Sequence, residues 1–484
     1  MMKTSFMKLA CTLLALLMLA TAFAACRKKP VVVDPVDTTT NAAETIPLPH
    51  YDWKGRSFSV LGAHNPNEPN FEIMGSQTGS IVEQQAYSRN NWLEDYFNVE
   101  IKELGDESDK PLELIQQAIS SGDHTYNLAF LIRGDMSSAV VNGYMKDMTE
   151  LPYLDLANEW YNSFTIDSIM IQGRLFHMVS DFSLVDKART NVLFYNRDLG
   201  AQYQFPDIVQ MVRDGEWTVE EMAKWAKNYN LDGEEGFSLN DLWGLTCGGK
   251  EASAAFWNGC GNKVVSFDDE GNWSVTVANE HSVSSIDKLR GLFNGEVSFV
   301  GNKMGSYDDP WNSFTGSKAF FCSATLGGIE SLASTVTFAY TALPYPKFDA
   351  DQTGYYTTND NTYCATFGIP QCAAEPDFSA FMVEALSWKS HTTTYPTYME
   401  TICKVRGSYD PICYEMLELT LDGLTFDFGL MYSLGLRTNI LLKSILENGE
   451  ITSLYAEVKT ATEGDANTPG KLPTMLDTIA TLDS

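Results

Sequence analysis

Leu128-Ala129-Phe130-Leu131-Ile132 is an unbroken apolar run, and the fold can be read outward from it. A strand with no polar face is one covered on both sides, the pattern of a buried parallel strand. The residues upstream agree. Leu112 to Ile119 has the spacing of an amphipathic helix, and Val99-Glu100-Ile101 reads as a short strand. Ser80 to Phe97 puts Val82, Ala86, Leu93 and Phe97 on one helical stripe, and Ser57-Phe58-Ser59-Val60-Leu61 alternates as a strand does. Strand, helix, strand, helix, strand is the opening of a doubly wound α/β lobe. Ligands of such lobes sit beyond the carboxyl ends of the strands, so the loops after Leu61 and Ile132 form a first candidate site.

A second α/β segment follows. Val192-Leu193-Phe194-Tyr195 is strand-like and ends in Asn196-Arg197-Asp198. Thr218 is a natural N-cap with Glu221 three residues on, a capping box, and Trp217 can staple onto Met222. Val264 to Val277 reads as a hairpin turning at Asp268-Asp269-Glu270-Gly271. Helical patterns return at Ser284–Phe293, Phe378–Trp388, Leu436–Glu447 and Thr474–Leu482, with no internal repeat.

The N-terminus carries a separate message. Lys3 and Lys8 precede the apolar stretch Leu13 to Ala20, which closes on Phe23-Ala24-Ala25-Cys26. A positive flank, a short apolar stretch and a small-residue cleavage site predict a signal peptide over 1–25. Spanning a bilayer takes about 20 apolar residues, so this stretch is too short for a membrane helix. Cys26 directly after small residues resembles the bacterial lipobox, with Phe23 where Leu is usual, and lipidation of Cys26 is expected. Residues 26–50 show no periodicity and read as a flexible tether, with Arg27, Lys28 and Lys29 against anionic head groups.

Composition excludes several functions. The chain has 33 basic and 63 acidic residues, a formal charge of −30, which repels nucleic acid. Six histidines with no ligand-like spacing argue against a metal, and no cofactor is expected. There is no GxSxG, GxxxxGK[ST] or HExxH motif. Besides Cys11 and Cys26 there are seven cysteines. Cys364 with Cys372, and Cys403 with Cys413, are near enough in sequence for local bridges, and buried free thiols are the equal alternative.

In order along the chain stand Tyr96-Phe97-Asn98-Val99-Glu100-Ile101, Lys146-Asp147-Met148-Thr149-Glu150-Leu151-Pro152-Tyr153 and Leu193-Phe194-Tyr195-Asn196-Arg197-Asp198-Leu199. Gly215-Glu216-Trp217-Thr218, Trp243-Gly244-Leu245, Gly316-Ser317-Lys318-Ala319-Phe320 and Leu343-Pro344-Tyr345-Pro346-Lys347 follow. Each piece is short; the order and spacing resemble family 1 extracellular solute-binding proteins, particularly the carbohydrate-importer lipoproteins of Gram-positive bacteria. The resemblance implies an α/β, two-lobed periplasmic-binding-protein-like (type II) fold whose discontinuous lobes are joined by crossing strands. Lobe 1 would be 51–157 with 347–395, and lobe 2 would be 158–346 with 396–484. Leu343-Pro344-Tyr345-Pro346, extended by its prolines, is the best mark of a crossing. The implied role is not enzymatic. A monomer tethered to the outer face of the cell membrane through Cys26 would grip a carbohydrate, an oligosaccharide, and hand it to the permease subunits of an ABC transporter.

A sugar offers flat C–H faces and a rim of hydroxyls, so its site needs aromatic rings and planar polar groups. The candidates for bonding the rim are Asn65, Arg133, Asp135, Asp181 and Asn361, and those for stacking are Trp257 and Trp311. Two other readings compete: the same fold binding a peptide or polyamine, and an extracellular carbohydrate-active enzyme with paired carboxylates.

Overall fold

Residues 128–132 do form a buried strand, and it lies inside a sheet, with a parallel neighbour on one side and an antiparallel one on the other. β1 (Arg56–Leu61), β2 (Val99–Leu104) and β3 (Leu128–Ile132) run parallel, with β1 between the other two. α1 (Ile81–Phe97) and α2 (Pro111–Ser121) make the connections. The computed structural model describes residues 46–62, 73–105, 110–268, 271–300, 309–359, 364–405, 408–434, 438–446, 451–465 and 468–481. The chain divides after Pro47, and the unit from Leu48 to Ser484 holds all the described sheets.

Local chemistry fixes where α1 starts and stops. Its capping box is complete: the Glu83 N–H donates to Ser80 Oγ at 3.2 Å and the Ser80 N–H to Glu83 Oε2 at 2.6 Å. Val82, Ala86, Leu93 and Phe97 are all buried, as their spacing predicts. Asn98 ends the helix with a left-handed φ of 51°. Gly75 packs against α1 so closely that a Cβ there would lie 2.3 Å from the Glu83 carbonyl oxygen.

The segment after β3 corrects an expectation. It is not a loop: Ile132 is the N-cap of α3 (Arg133–Val141), and Arg133, Gly134 and Asp135 form the first helical turn. Met136, Ala139 and Val140 give that stretch a buried face, so helix begins where strand ends.

The chain then leaves the first sheet, passes through α4 (Val185–Ala188), and builds a second. Its strands are β4 (Asn191–Asn196), β5 (Trp243–Cys247), β8 (Ser298–Val300), β9 (Ala319–Thr325) and β10 (Tyr340–Leu343), in the order β10-β4-β9-β5-β8. β8 and β9 run parallel to β5, while β4 runs antiparallel to both β9 and β10. Around this sheet lie α5 (Gly249–Gly259), the hairpin of β6 (Val265–Phe267) and β7 (Trp273–Val275), α6 (Asp309–Thr315) and α7 (Ile329–Thr335). The hairpin is the predicted one, with Phe267 opposite Trp273. At 218–221 half of the predicted box forms: Thr218 Oγ1 accepts from the Glu221 N–H at 3.2 Å, but the Glu221 carboxylate pairs with Lys224.

β11 (Ala365–Gly368) returns to complete the first sheet, antiparallel to β3. The two passages between sheets lie side by side. Met178 bridges to Phe367, and Thr190 bridges to Asn359. The proline run 343–346 stays beside the second sheet instead of crossing, because Lys347 bridges to Thr218 and Trp217 Nε1 donates to the Pro344 carbonyl at 3.3 Å. After β11 come α8 (Pro376–Thr392), α9 (Thr394–Ile402), α10 (Pro411–Asp422), α11 (Phe428–Met431) and α12 (Lys471–Thr481). α9 packs on α1 and α7, while α12 packs back onto α3. The C-terminal run therefore touches elements of both sheets.

Candidate functional site

Strand direction says where to look. β3 ends at Ile132, and α3 carries Arg133 and Asp135 on from it. In the second sheet β5 ends in Gly248-Gly249 and β9 in Leu326-Gly327-Gly328. Ligands of open α/β sheets lie beyond such carboxyl ends. The two lobes meet near there. Val82 of α1 shares an apolar cluster with Leu184 of the crossing segment and with Leu326 and Ile329 after β9. Glu330 feels the charge of Glu83: partial desolvation first, then that like charge, raises its pKa.

On the first lobe, Arg133 Nη1 donates to the Leu430 carbonyl at 2.9 Å, and Ser137 Oγ donates to that of Tyr432 at 3.0 Å. Both bonds tie α3 to the α11 segment. The Asp135 carboxyl is half-buried, and its pKa is raised by desolvation and then by the charge of Glu113. Lys471 also approaches: burial, then the charge of Arg133, lowers its pKa.

On the second lobe, Trp311 of α6 is half-buried, edge-on to Phe194 with ring centroids 5.6 Å apart. Its ring abuts Gly328, where an added Cβ would lie 2.8 Å from the indole. A glycine is needed there for the ring to lie against the strand end.

Between the lobes the joint is full of charge. Lys187 Nζ lies 2.9 Å from Asp181 and 2.8 Å from Asp186, and all three residues are buried. Burial alone would lower the Lys187 pKa, but the two carboxylates outweigh it and hold the ammonium above its usual range. Burial pushes the Asp186 carboxyl up to about 6 against the pull of Lys187. His391 Nδ1 lies 2.7 Å from Asp181, a bond that raises the imidazole's pKa against desolvation. Arg89 of α1, 1% exposed, donates to the carbonyls of Ile73 (2.7 Å) and Phe182 (3.1 Å) and to Ser390 Oγ (3.0 Å).

The sequence candidates thus separate. Arg133, Asp135 and Trp311 stand at strand-end edges. Asp181 is committed to the joint. Trp257 is 0% exposed inside α5, and its indole N–H has no partner among the described residues, so it belongs to the core. Asn65, Asn361 and Cys26 lie outside the described residues. Trp388 and Tyr345 are likewise buried. Sequence reasoning missed Gly327-Gly328, Lys187 and His391. Paired glycines directly after an apolar strand are a signal that finds the first; nothing local marks the others.

Two neighbouring cavities of about 570 and 440 Å³ adjoin the α11 segment, whose Phe428 lines the smaller one. They share Gly261, Asn262, Lys263 and Phe426, beyond the far end of α5. None of the candidates above lines them, and α5, at 1.5 Å per residue, sets them roughly 16 Å from the end of β5. We favour the strand-end edges, where both lobes contribute. Among the described residues no group of three or more His, Cys, Asp or Glu is placed to hold a metal ion. None of the described helices is long and apolar enough to cross a membrane.

Two α/β lobes, each assembled from separated stretches and joined by paired crossings, define a two-lobed periplasmic-binding-protein-like fold. Three solved structures are similar to it. One is an ABC substrate-binding protein of Listeria monocytogenes in complex with cycloalternan, 11% identical, TM-score 0.53, covering 84% of this chain and 98% of that one. UspC of M. tuberculosis is 13% identical, TM-score 0.53, over 85% and 100%. A cyclo/maltodextrin-binding protein complexed with maltotetraose is 12% identical, TM-score 0.57, over 89% and 98%. No protein-family model matches the sequence, and no curated protein does.

Proposed function

We propose that this chain is the solute-binding component of an ABC importer, that its ligand is an oligosaccharide, and that the lobes close on it. The observation that carries the reading is the apolar cluster that joins Val82 of α1 to Leu326 and Ile329 after β9, with Arg133 and Asp135 following β3 on one lobe and Trp311 against Gly328 on the other. A guanidinium and carboxylate suit a hydroxyl rim, and an indole suits a sugar face. Two of the similar structures hold oligosaccharides. Those two are named as binding proteins, which supports binding without turnover. The signal-like N-terminus and Cys26 support export and lipid anchoring at the outer face of the membrane, with delivery to permease subunits.

A thermal-shift screen of malto- and alternan-type oligosaccharides, peptides and polyamines tests the ligand class. A ligand that binds only the folded state raises the Tm, by about 2.7 kcal/mol of added stability at a hundredfold excess over Kd. The expected result is a rise with an oligosaccharide that is recovered uncleaved. A rise with peptides or amines alone, or a cleaved sugar, would sink the reading.

A further inference from the structure

α9 ends at Ile402 and α10 begins at Pro411, and the chain between them turns through β12 (Lys404–Val405) and β13 (Ser408–Tyr409). Lys404 pairs with Tyr409 and Val405 with Ser408. Cys403 precedes the first strand, and Cys413 is the third residue of α10. Asp410 binds them both: its N–H donates to the Cys403 carbonyl at 2.9 Å, and its Oδ1 accepts from the Cys413 N–H at 3.3 Å. The two thiols are in turn hydrogen-bonded to each other, and both residues are 0% exposed. Cys364, from the other pair close in sequence, directs its thiol to the Ala365 carbonyl at 3.9 Å.

We propose that Cys403 and Cys413 are a disulfide-forming pair that closes a covalent ring around the α9–α10 turn when the chain folds in an oxidising compartment. Once folding brings the two together, one thiolate attacks one sulfur of a disulfide oxidant, a thiol–disulfide oxidoreductase or oxidised glutathione, and the other sulfur leaves as a thiolate. The second thiol then loses its proton and attacks the sulfur of the first, displacing the oxidant's remaining half as a thiolate. Two electrons pass to the oxidant, which departs as two thiols. Both sulfurs are buried in the finished fold, so the exchange belongs to folding.

The native pairing in the cell rests on the export proposed above; the chemistry of the pair does not. Trypsin cuts after Lys404 and Arg406, which puts Cys403 in peptide 390–404 and Cys413 in peptide 407–437. The full chain, isolated from the producing cells and also refolded with oxidised glutathione, is denatured with an alkylating agent and no reductant, then digested. The expected product in both is one ion joining the two peptides, two hydrogens lighter than their sum and split by reductant. Bridges joining either cysteine to a different one, or both thiols alkylated in both preparations, would overturn the proposal. A bridge only after refolding supports the pair and sinks the exported location. As a second measurement, reductant lowers the wild-type Tm by about 2–4 °C and leaves a Cys403→Ser, Cys413→Ser variant unmoved.

Discussion

The joint between the lobes and the strand-end edges are built on opposite plans. The joint takes charge out of water: Lys187 pairs with both Asp181 and Asp186, and Arg89 bonds carbonyls. The edges keep Arg133, Asp135 and Trp311 half-exposed and use glycine where backbone and ring must touch. Buried ionic groups add little net stability, but they are costly to mispair, so they pin one arrangement of the crossing segments. Half-exposed groups retain partial solvation that a ligand can replace. Rigidity is concentrated where the lobes join, and chemical freedom where they would grip.

The largest effect should come from breaking the joint. Lys187→Met strands two buried carboxylates and is expected to cost about 3–5 kcal/mol in urea unfolding, with Lys187→Met/Asp181→Asn/Asp186→Asn recovering much of it. If the single variant were as stable as wild type, the joint would not be the specified element described here. Arg89→Met should cost less, about 2–4 kcal/mol, because the groups it strands, the Phe182 carbonyl and Asn90 Oδ1, are neutral. The edges should show the reverse pattern. Arg133→Ala is expected to weaken the ligand found by the screen roughly 10- to 100-fold by calorimetry, at a loss of only about 1 kcal/mol of stability. The two edge glycines sharpen the contrast. Gly328→Ala drives a methyl into the Trp311 ring and should cost about three- to tenfold in affinity, whereas Gly134→Ala meets nothing within 4 Å and should leave affinity unchanged. Equal effects at the two positions would remove Trp311 from the site.

The pH dependence should be the smallest effect. The pKa of Asp186 is raised from 3.8 to about 6 in the folded chain, so the native state binds that proton more tightly than the unfolded one. Its contribution is full below about 4 and is lost as pH rises through 6. His391, also raised, adds a loss in the same direction as pH climbs through its folded value. Asp186→Asn should therefore flatten the decline in stability between pH 4 and 7, and an unchanged slope would rule the group out.

What the sequence disclosed follows from the range of the forces involved. β3 and α1 were legible because burial imposes a period on neighbouring residues, and the Ser80–Glu83 box is complete within four positions. The start of α3 was not, since Gly134 read as a loop while the helix follows its strand without a break. Trp257 was chosen for stacking by its chemistry, but the whole run from Ala252 to Gly259 is the buried packing surface of α5. One partner of Asp181 is a histidine 210 positions away, a contact no local pattern records. Arg133 and Trp311 were chosen for their chemistry, and the fold alone supplies their location.

The antiparallel pairing of β11 with β3 sets the timing of assembly. Ile132 must wait for Ala365, roughly 230 residues later in the chain, before its outer backbone groups are bonded. A polypeptide emerging N-terminus first therefore presents an incomplete apolar sheet for most of its passage, a template for mispairing. Escort by a chaperone, or delayed collapse of this half, is a demand that the topology places on whatever compartment receives the chain.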